Sequence, residues 1–108
     1  MANEESRHLK AQLIVSGFWN ADDARDPAQD PSAGVVLLEA MKKLLAQGTY
    51  LSYTVTLDSA QMTEVFINRG DKKFLLATDG DLYVAICQAA IELPGFLKQL
   101  PEFAAPLV

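Results

Sequence analysis

Leu51-Ser52-Tyr53-Thr54-Val55-Thr56-Leu57, with the Asp58-Ser59-Ala60 that follows and then Met62-Thr63-Glu64-Val65-Phe66-Ile67-Asn68, is the stretch that decides how this chain folds. In its first seven residues Leu, Tyr, Val and Leu alternate with Ser, Thr and Thr. A period of two sends the two sets to opposite faces, so 51–57 reads as a half-buried strand with one apolar and one hydroxyl face. Asp58-Ser59-Ala60 is turn chemistry, and 62–68 reads as a second strand with Val65 and Ile67 on one face and Glu64, Phe66 and Asn68 on the other. Arg69-Gly70-Asp71-Lys72 makes a tight connection into a third strand over 73–78. There Phe74 and Leu76 alternate with Leu75 and Ala77, so both of its faces are expected to be covered. Connections this short cannot cross over a sheet face, and the strands therefore form an antiparallel meander.

Outside the strands the period lengthens to that of a helix. Leu9, Leu13 and Ile14 recur at helical spacing over 4–15, and Ser16-Gly17 stops the pattern. Ala21 to Gly34, ADDARDPAQDPSAG, begins as a loop of Ala, Asp and Pro and ends in a helix start, with Asp30 as N-cap and Pro31 at the first helical position. Leu37, Met41, Leu44 and Leu45 form the buried stripe of that helix, and Gln47-Gly48 closes it. After Thr78-Asp79-Gly80-Asp81, which supplies a turn and a cap, Leu82, Ile86, Ala89 and Leu93 form the stripe of a last long helix that Pro94-Gly95 is expected to break. The order is α-α-β-β-β-α, an α+β fold. A sheet with two apolar faces needs helices on both, so the expectation is a three-stranded meander flanked by helices as an α-β-α sandwich. One domain is expected over 1–108, with an N-terminal helix and acidic loop (1–29), a core (30–93) and an apolar tail (94–108).

Composition narrows the function. The chain has 108 residues, a net charge of −5 and a 50% hydrophobic content, the balance of a globular domain. Its longest apolar run, Leu82 to Cys87, is far shorter than the ~18 residues of a membrane span. The polar start MANEESRHLK is unlike a signal peptide, so a cytoplasmic location is expected. The acidic balance argues against nucleic acid, whose phosphates call for clustered Lys and Arg. One cysteine, Cys87, and one histidine, His8, exclude an intrachain disulfide and leave too few ligands for structural zinc. No metal or other cofactor is expected.

Several features mimic chemistry. Asp22, Asp23, Asp26 and Asp30 share one loop, yet they lack the spacing of a calcium loop, and Arg25 sits among them. Arg69-Gly70-Asp71 spells an adhesion tripeptide, but glycine followed by aspartate is also what a hairpin turn requires. Cys87 lies in mid-helix among small apolar residues, the setting of a core thiol rather than a nucleophile. No nucleophile elbow, phosphate loop or dinucleotide fingerprint occurs, so no catalytic residues are assigned. Two binding surfaces are expected. Tyr50, Tyr53 and Phe66, with Thr54 and Asn68, could hold a small nucleotide-like metabolite. Phe96, Leu97, Leu100 and Phe103 in the tail could meet a protein partner or a second copy.

DPSAGVVLLEAMKKLLAQGTY, the Glu64-Val65-Phe66-Ile67 strand and DGDLYVAICQAAIEL, spanning about residues 30–93, together resemble the phage ABA sandwich domain family. Ala85-Ile86-Cys87-Gln88-Ala89-Ala90-Ile91 is similar to the Ala-Ile-Cys-Arg-Ala-Ala-Leu signature of that family's last helix, with Gln88 where the family usually has Arg. Pro27, Asp30 and Ser32 are similar to the loop that opens its central helix. The resemblance implies an α-β-α sandwich and a phage or prophage origin, and it brings no catalytic residues. The expected function is a small non-catalytic accessory or protein-interaction domain that self-associates through the apolar tail or a sheet edge; the alternative is a metabolite binder.

Overall fold

The computed structural model describes residues 4–48 and 51–99. It has the order α1 (Glu4–Val15), α2 (Pro31–Leu45), β1 (Leu51–Leu57), β2 (Thr63–Arg69), β3 (Lys72–Asp79) and α3 (Leu82–Leu97). This is the α+β order read from the sequence. The sheet runs β1-β2-β3 with both pairings antiparallel. β1 and β2 pair without interruption from Leu51 opposite Arg69 to Leu57 opposite Thr63. Their hairpin is closed by Asp58, whose Oδ1 accepts from Ala60 N–H and Met62 N–H, each at 2.9 Å. Gln61 takes the left-handed conformation there, φ 64°. At the second hairpin Gly70 has φ 63° at the first of two loop residues, a position where a side chain would be strained.

β3 departs from simple alternation. Val65 stands opposite Ala77 and Phe66 opposite Leu75, so Leu76 is an extra residue, a β-bulge. The bulge puts Phe74 and Ala77 on the same face as Ile67 and Val65, and leaves Leu75 on the face of Phe66 with the polar Lys73 and Thr78. An apolar strand that alternation reads as needing cover on both sides thus directs most of its bulk to one.

The helices follow that asymmetry. α3 packs on β2 and β3, α2 packs on α3 and β1, and α1 packs on α3. Helices on opposite faces are separated by the sheet and cannot touch, so α2 and α3 share the face of Val65 and Ile67, both fully buried. The expectation of helices on both faces is therefore corrected. Among the described residues no helix packs against Phe66 and Leu75. α3 is the central element: Ala85, Ile86, Cys87, Ala89, Ala90, Leu93 and Leu97 are all buried, more than one stripe can hold, because sheet, α2 and α1 surround it. Asp81 caps it, Oδ1 accepting from Tyr83 N–H at 2.8 Å and Val84 N–H at 3.1 Å. Asp30 caps α2 through Ser32 N–H at 2.9 Å. Leu9 and Leu13 bury α1 against this core, joined by Trp19 and Ala28 from the loop.

A second correction concerns the end of α3. Pro94 does not break the helix, which runs through to Leu97. Proline removes one backbone donor, but burial of Leu97 and packing of Phe96 on the core hold the last turn in place. The stretch expected as an apolar tail from 94 onward therefore begins inside α3.

Candidate functional site

Tyr53 and Thr54 are consecutive in β1 and so point to opposite faces of the sheet. The candidate metabolite site is divided accordingly. Thr54, Phe66 and Asn68 come together on the face without helices: Asn68 Nδ2 donates to Thr54 Oγ1 at 2.6 Å and to Ser52 Oγ at 3.3 Å, and Lys73 Nζ lies 5.5 Å from the centroid of the Phe66 ring. Asn68 Oδ1 is buried without a partner. Tyr53 instead faces α2, where with Lys42, Leu45, Ala46 and Leu51 it lines a shallow cleft of about 380 Å³. Tyr50 lies outside the described residues. One pocket holding Tyr53 together with Phe66 is thus corrected to two separate surfaces.

The candidate interaction residues are also redistributed. Leu97 is only 3% exposed and sits in the chain's own core. The Phe96 ring packs on Phe74 at 5.3 Å between centroids, tilted by 52°. Leu97 is thus enclosed by its own chain, while Phe96 is partly buried beside the exposed Phe74. Leu100 and Phe103 lie outside the described residues.

The surface that sequence reasoning did not single out is the free edge of β1. A second shallow cleft, about 470 Å³, opens at its far end between Val55, Leu57, Thr63, Gly80 and Leu82. Leu57 is 61% exposed there. β1 has no bulge in its pairing to β2 and no charged or proline residue in its length. The opposite edge differs in each respect but the last, since β3 opens with Lys72-Lys73, ends on Asp79 and carries the bulge at Leu76. Lysines and bulges are the ordinary guards of a sheet edge. Among the described residues the sheet therefore guards β3 and leaves β1 without a neighbouring strand on its outer side. The signal lay in the sequence as an uncharged period-two run, but the order of the strands was needed to show that this run forms an edge.

The remaining candidates have structural roles. Cys87 is fully buried, and burial first, with the charges of Asp26 and Asp81 adding, pushes its thiol up to about 12. A thiol so held is not a thiolate near neutral pH. His8 is exposed on α1. In the acidic loop Arg25 is clasped by Asp23 at 2.6 Å, donates to Ser32 Oγ at 3.0 Å and lies 5.3 Å from the Trp19 ring centroid. That side-chain bond from Arg25 holds the Asp23 carboxyl down at about 2. Asp26 Oδ1 accepts from Ala28 N–H at 2.9 Å, so these carboxylates organise the loop and cap α2. Among the described residues no group of carboxylate, histidine or cysteine side chains is placed to hold a metal ion. Among the same residues no helix is long and apolar enough to cross a membrane. Compared with protein-family models, curated proteins and solved structures, the chain matches none.

Proposed function

We propose that the chain is a small, cytoplasmic, non-catalytic accessory domain of phage or prophage type that works by protein–protein association, and that it associates with itself through an edge of its sheet. The observation that carries this reading is the β1 edge, a regular uncharged strand with an exposed leucine and a shallow cleft of mixed polar and apolar lining toward each end. Such an edge offers unpaired backbone groups to another strand, and natural sheets rarely leave one bare without use. The phage assignment rests on the sequence of the Ala85–Ile91 stretch and its resemblance to the ABA sandwich family, and draws no support from the layering, since the helices share one face of the sheet. The non-catalytic assignment draws support from Cys87, whose burial withholds the only thiol from chemistry.

Size-exclusion chromatography with light scattering over a wide concentration range tests the reading. A concentration-dependent or constant oligomer is expected, and a clean monomer at the highest concentration overturns self-association. A thermal-shift screen of nucleotides tests the alternative; a nucleotide that raises the melting temperature would put metabolite binding in its place.

A further inference from the structure

We infer that two copies of the chain join β1 to β1, antiparallel and in register about Thr54, so that their sheets become one; this rests on the self-association reading above. The backbone sets the possibility. Asp58 N–H donates to the Met62 carbonyl at 3.0 Å, continuing the β1–β2 register beyond Leu57 and Thr63. Alternate residues of an antiparallel strand bond to the same neighbour. Ser52, Thr54 and Thr56 therefore direct N–H and C=O to β2, while Leu51, Tyr53, Val55 and Leu57 direct theirs to the free edge. Among the described residues no strand lies there.

The side chains of β1 are complementary to themselves. A two-fold axis through Thr54 sets Leu51 opposite Leu57 of the second copy, Ser52 opposite Thr56 and Tyr53 opposite Val55. Apolar side chains then meet apolar ones on the helix face, and hydroxyls meet hydroxyls on the other. A slip of one residue would set each apolar side chain against a hydroxyl, and longer slips leave backbone groups unpaired at both ends. With no charged residue in β1, the net charge of −5 puts no like-charged pair on this seam.

Shape points to the same register. Leu57 stands exposed at one end of β1, and the cleft of about 380 Å³ beside Leu51 opens at the other, under Leu45 and Ala46 of α2. The two-fold axis brings each Leu57 to the mouth of the other copy's cleft, so that both features are covered together. β3 offers no such match, with its lysines at one end and its bulge in the middle.

Cysteine scanning reads the register directly. In the inferred pairing Thr54 faces Thr54 of the second copy at a position without hydrogen bonds between the pair, where Cα atoms lie about 4.5 Å apart, within the ~4.4–6.8 Å that a disulfide spans. Ser52 faces Thr56 and lies well beyond disulfide reach of its own counterpart. Full-length Thr54→Cys, oxidised with copper-phenanthroline, is expected to run as a covalent dimer on non-reducing gels, and Ser52→Cys is not. In light scattering, Leu57→Lys is expected to weaken the dimer by about tenfold or more, and Leu75→Lys, at a position 53% exposed on the other edge, to leave it unchanged. Equal cross-linking of the two cysteine variants, or a dimer dissolved by Leu75→Lys and not by Leu57→Lys, overturns the β1 pairing while self-association stands. A wild-type chain that remains monomeric overturns both.

Discussion

A Cβ built on Gly34 would stand 3.0 Å from Cδ1 and 3.3 Å from Cε1 of Tyr83. The first turns of α2 and α3 are fitted to each other through a side chain that Gly34 does not have. Two effects oppose each other at this position. Alanine gains about 1 kcal/mol of helix propensity over glycine, but the Tyr83 ring has to give way. Gly34→Ala is expected to be within about 0.5 kcal/mol of neutral in the wild-type chain and to stabilise by about 1 kcal/mol in a Tyr83→Ala background. Urea unfolding of the four chains in this double-mutant cycle checks it; strictly additive effects would show that the ring does not press on α2.

The last turn of α3 belongs to the core, and two substitutions should show it from opposite directions. Leu97→Ala is expected to cost about 2–4 kcal/mol, the range for a leucine truncated inside a core. Pro94→Ala returns a backbone donor to the Ala90 carbonyl and is expected to gain about 1–2 kcal/mol, less than the full penalty of an interior proline because proline also restrains the unfolded chain. Denaturant midpoints at unchanged slope are the measurement. A neutral Leu97→Ala would mean that this residue serves something other than its own fold.

Most of the fold was legible because it is written in local signals. The two caps, Asp30 and Asp81, the Gly70 hairpin and the period-two run of β1 each depend on a few neighbouring residues. What the sequence hid depends on residues far apart. The bulge at Leu76 is defined only against Val65 and Phe66, and it brings Phe74 and Ala77, which alternation assigns to opposite faces, onto one. The continuation of α3 past Pro94 depends on what Phe96 and Leu97 bury against, including Phe74. The candidate site was less legible still. Tyr53 and Phe66 look like one aromatic set in sequence, and only the pleat separates them onto two faces, while the openness of β1 emerges once β2 and β3 have taken the other places in the sheet.

Cys87 should behave as a buried apolar residue. With its thiol pushed up to about 12 from an ordinary value of 9.0, it is expected to be inert to a thiol reagent at pH 8 until the chain is unfolded in urea. The same shift fixes a pH dependence. The folded state keeps the proton where the unfolded state loses it, so this contribution to stability is full below pH 9.0 and is lost as pH rises from there toward about 12. Cys87→Ala is expected to remove that dependence. Rapid labelling of the folded wild-type chain would contradict the burial on which the non-catalytic reading draws.

At the other end of the pH scale the loop before α2 sets the behaviour. The Asp23 carboxyl is held at about 2 by the side-chain bond from Arg25, and that of Asp30 is lowered from 3.8 by its bonds from Ser32. Between about 2 and 3.8 the unfolded chain binds protons that these folded carboxylates refuse, so stability rises with pH across that interval. The contribution is complete above the unfolded value and disappears as pH falls through the folded ones. Arg25→Ala frees Asp23 to titrate nearer its ordinary value, and Ser32→Ala weakens the bonds that favour the Asp30 carboxylate. Each variant is expected to lose less stability than the wild-type chain between pH 4 and pH 2, and the two together less than either alone. Urea midpoints measured across that interval decide it: parallel curves for all chains would mean that the clasp between Asp23 and Arg25 does not persist in solution.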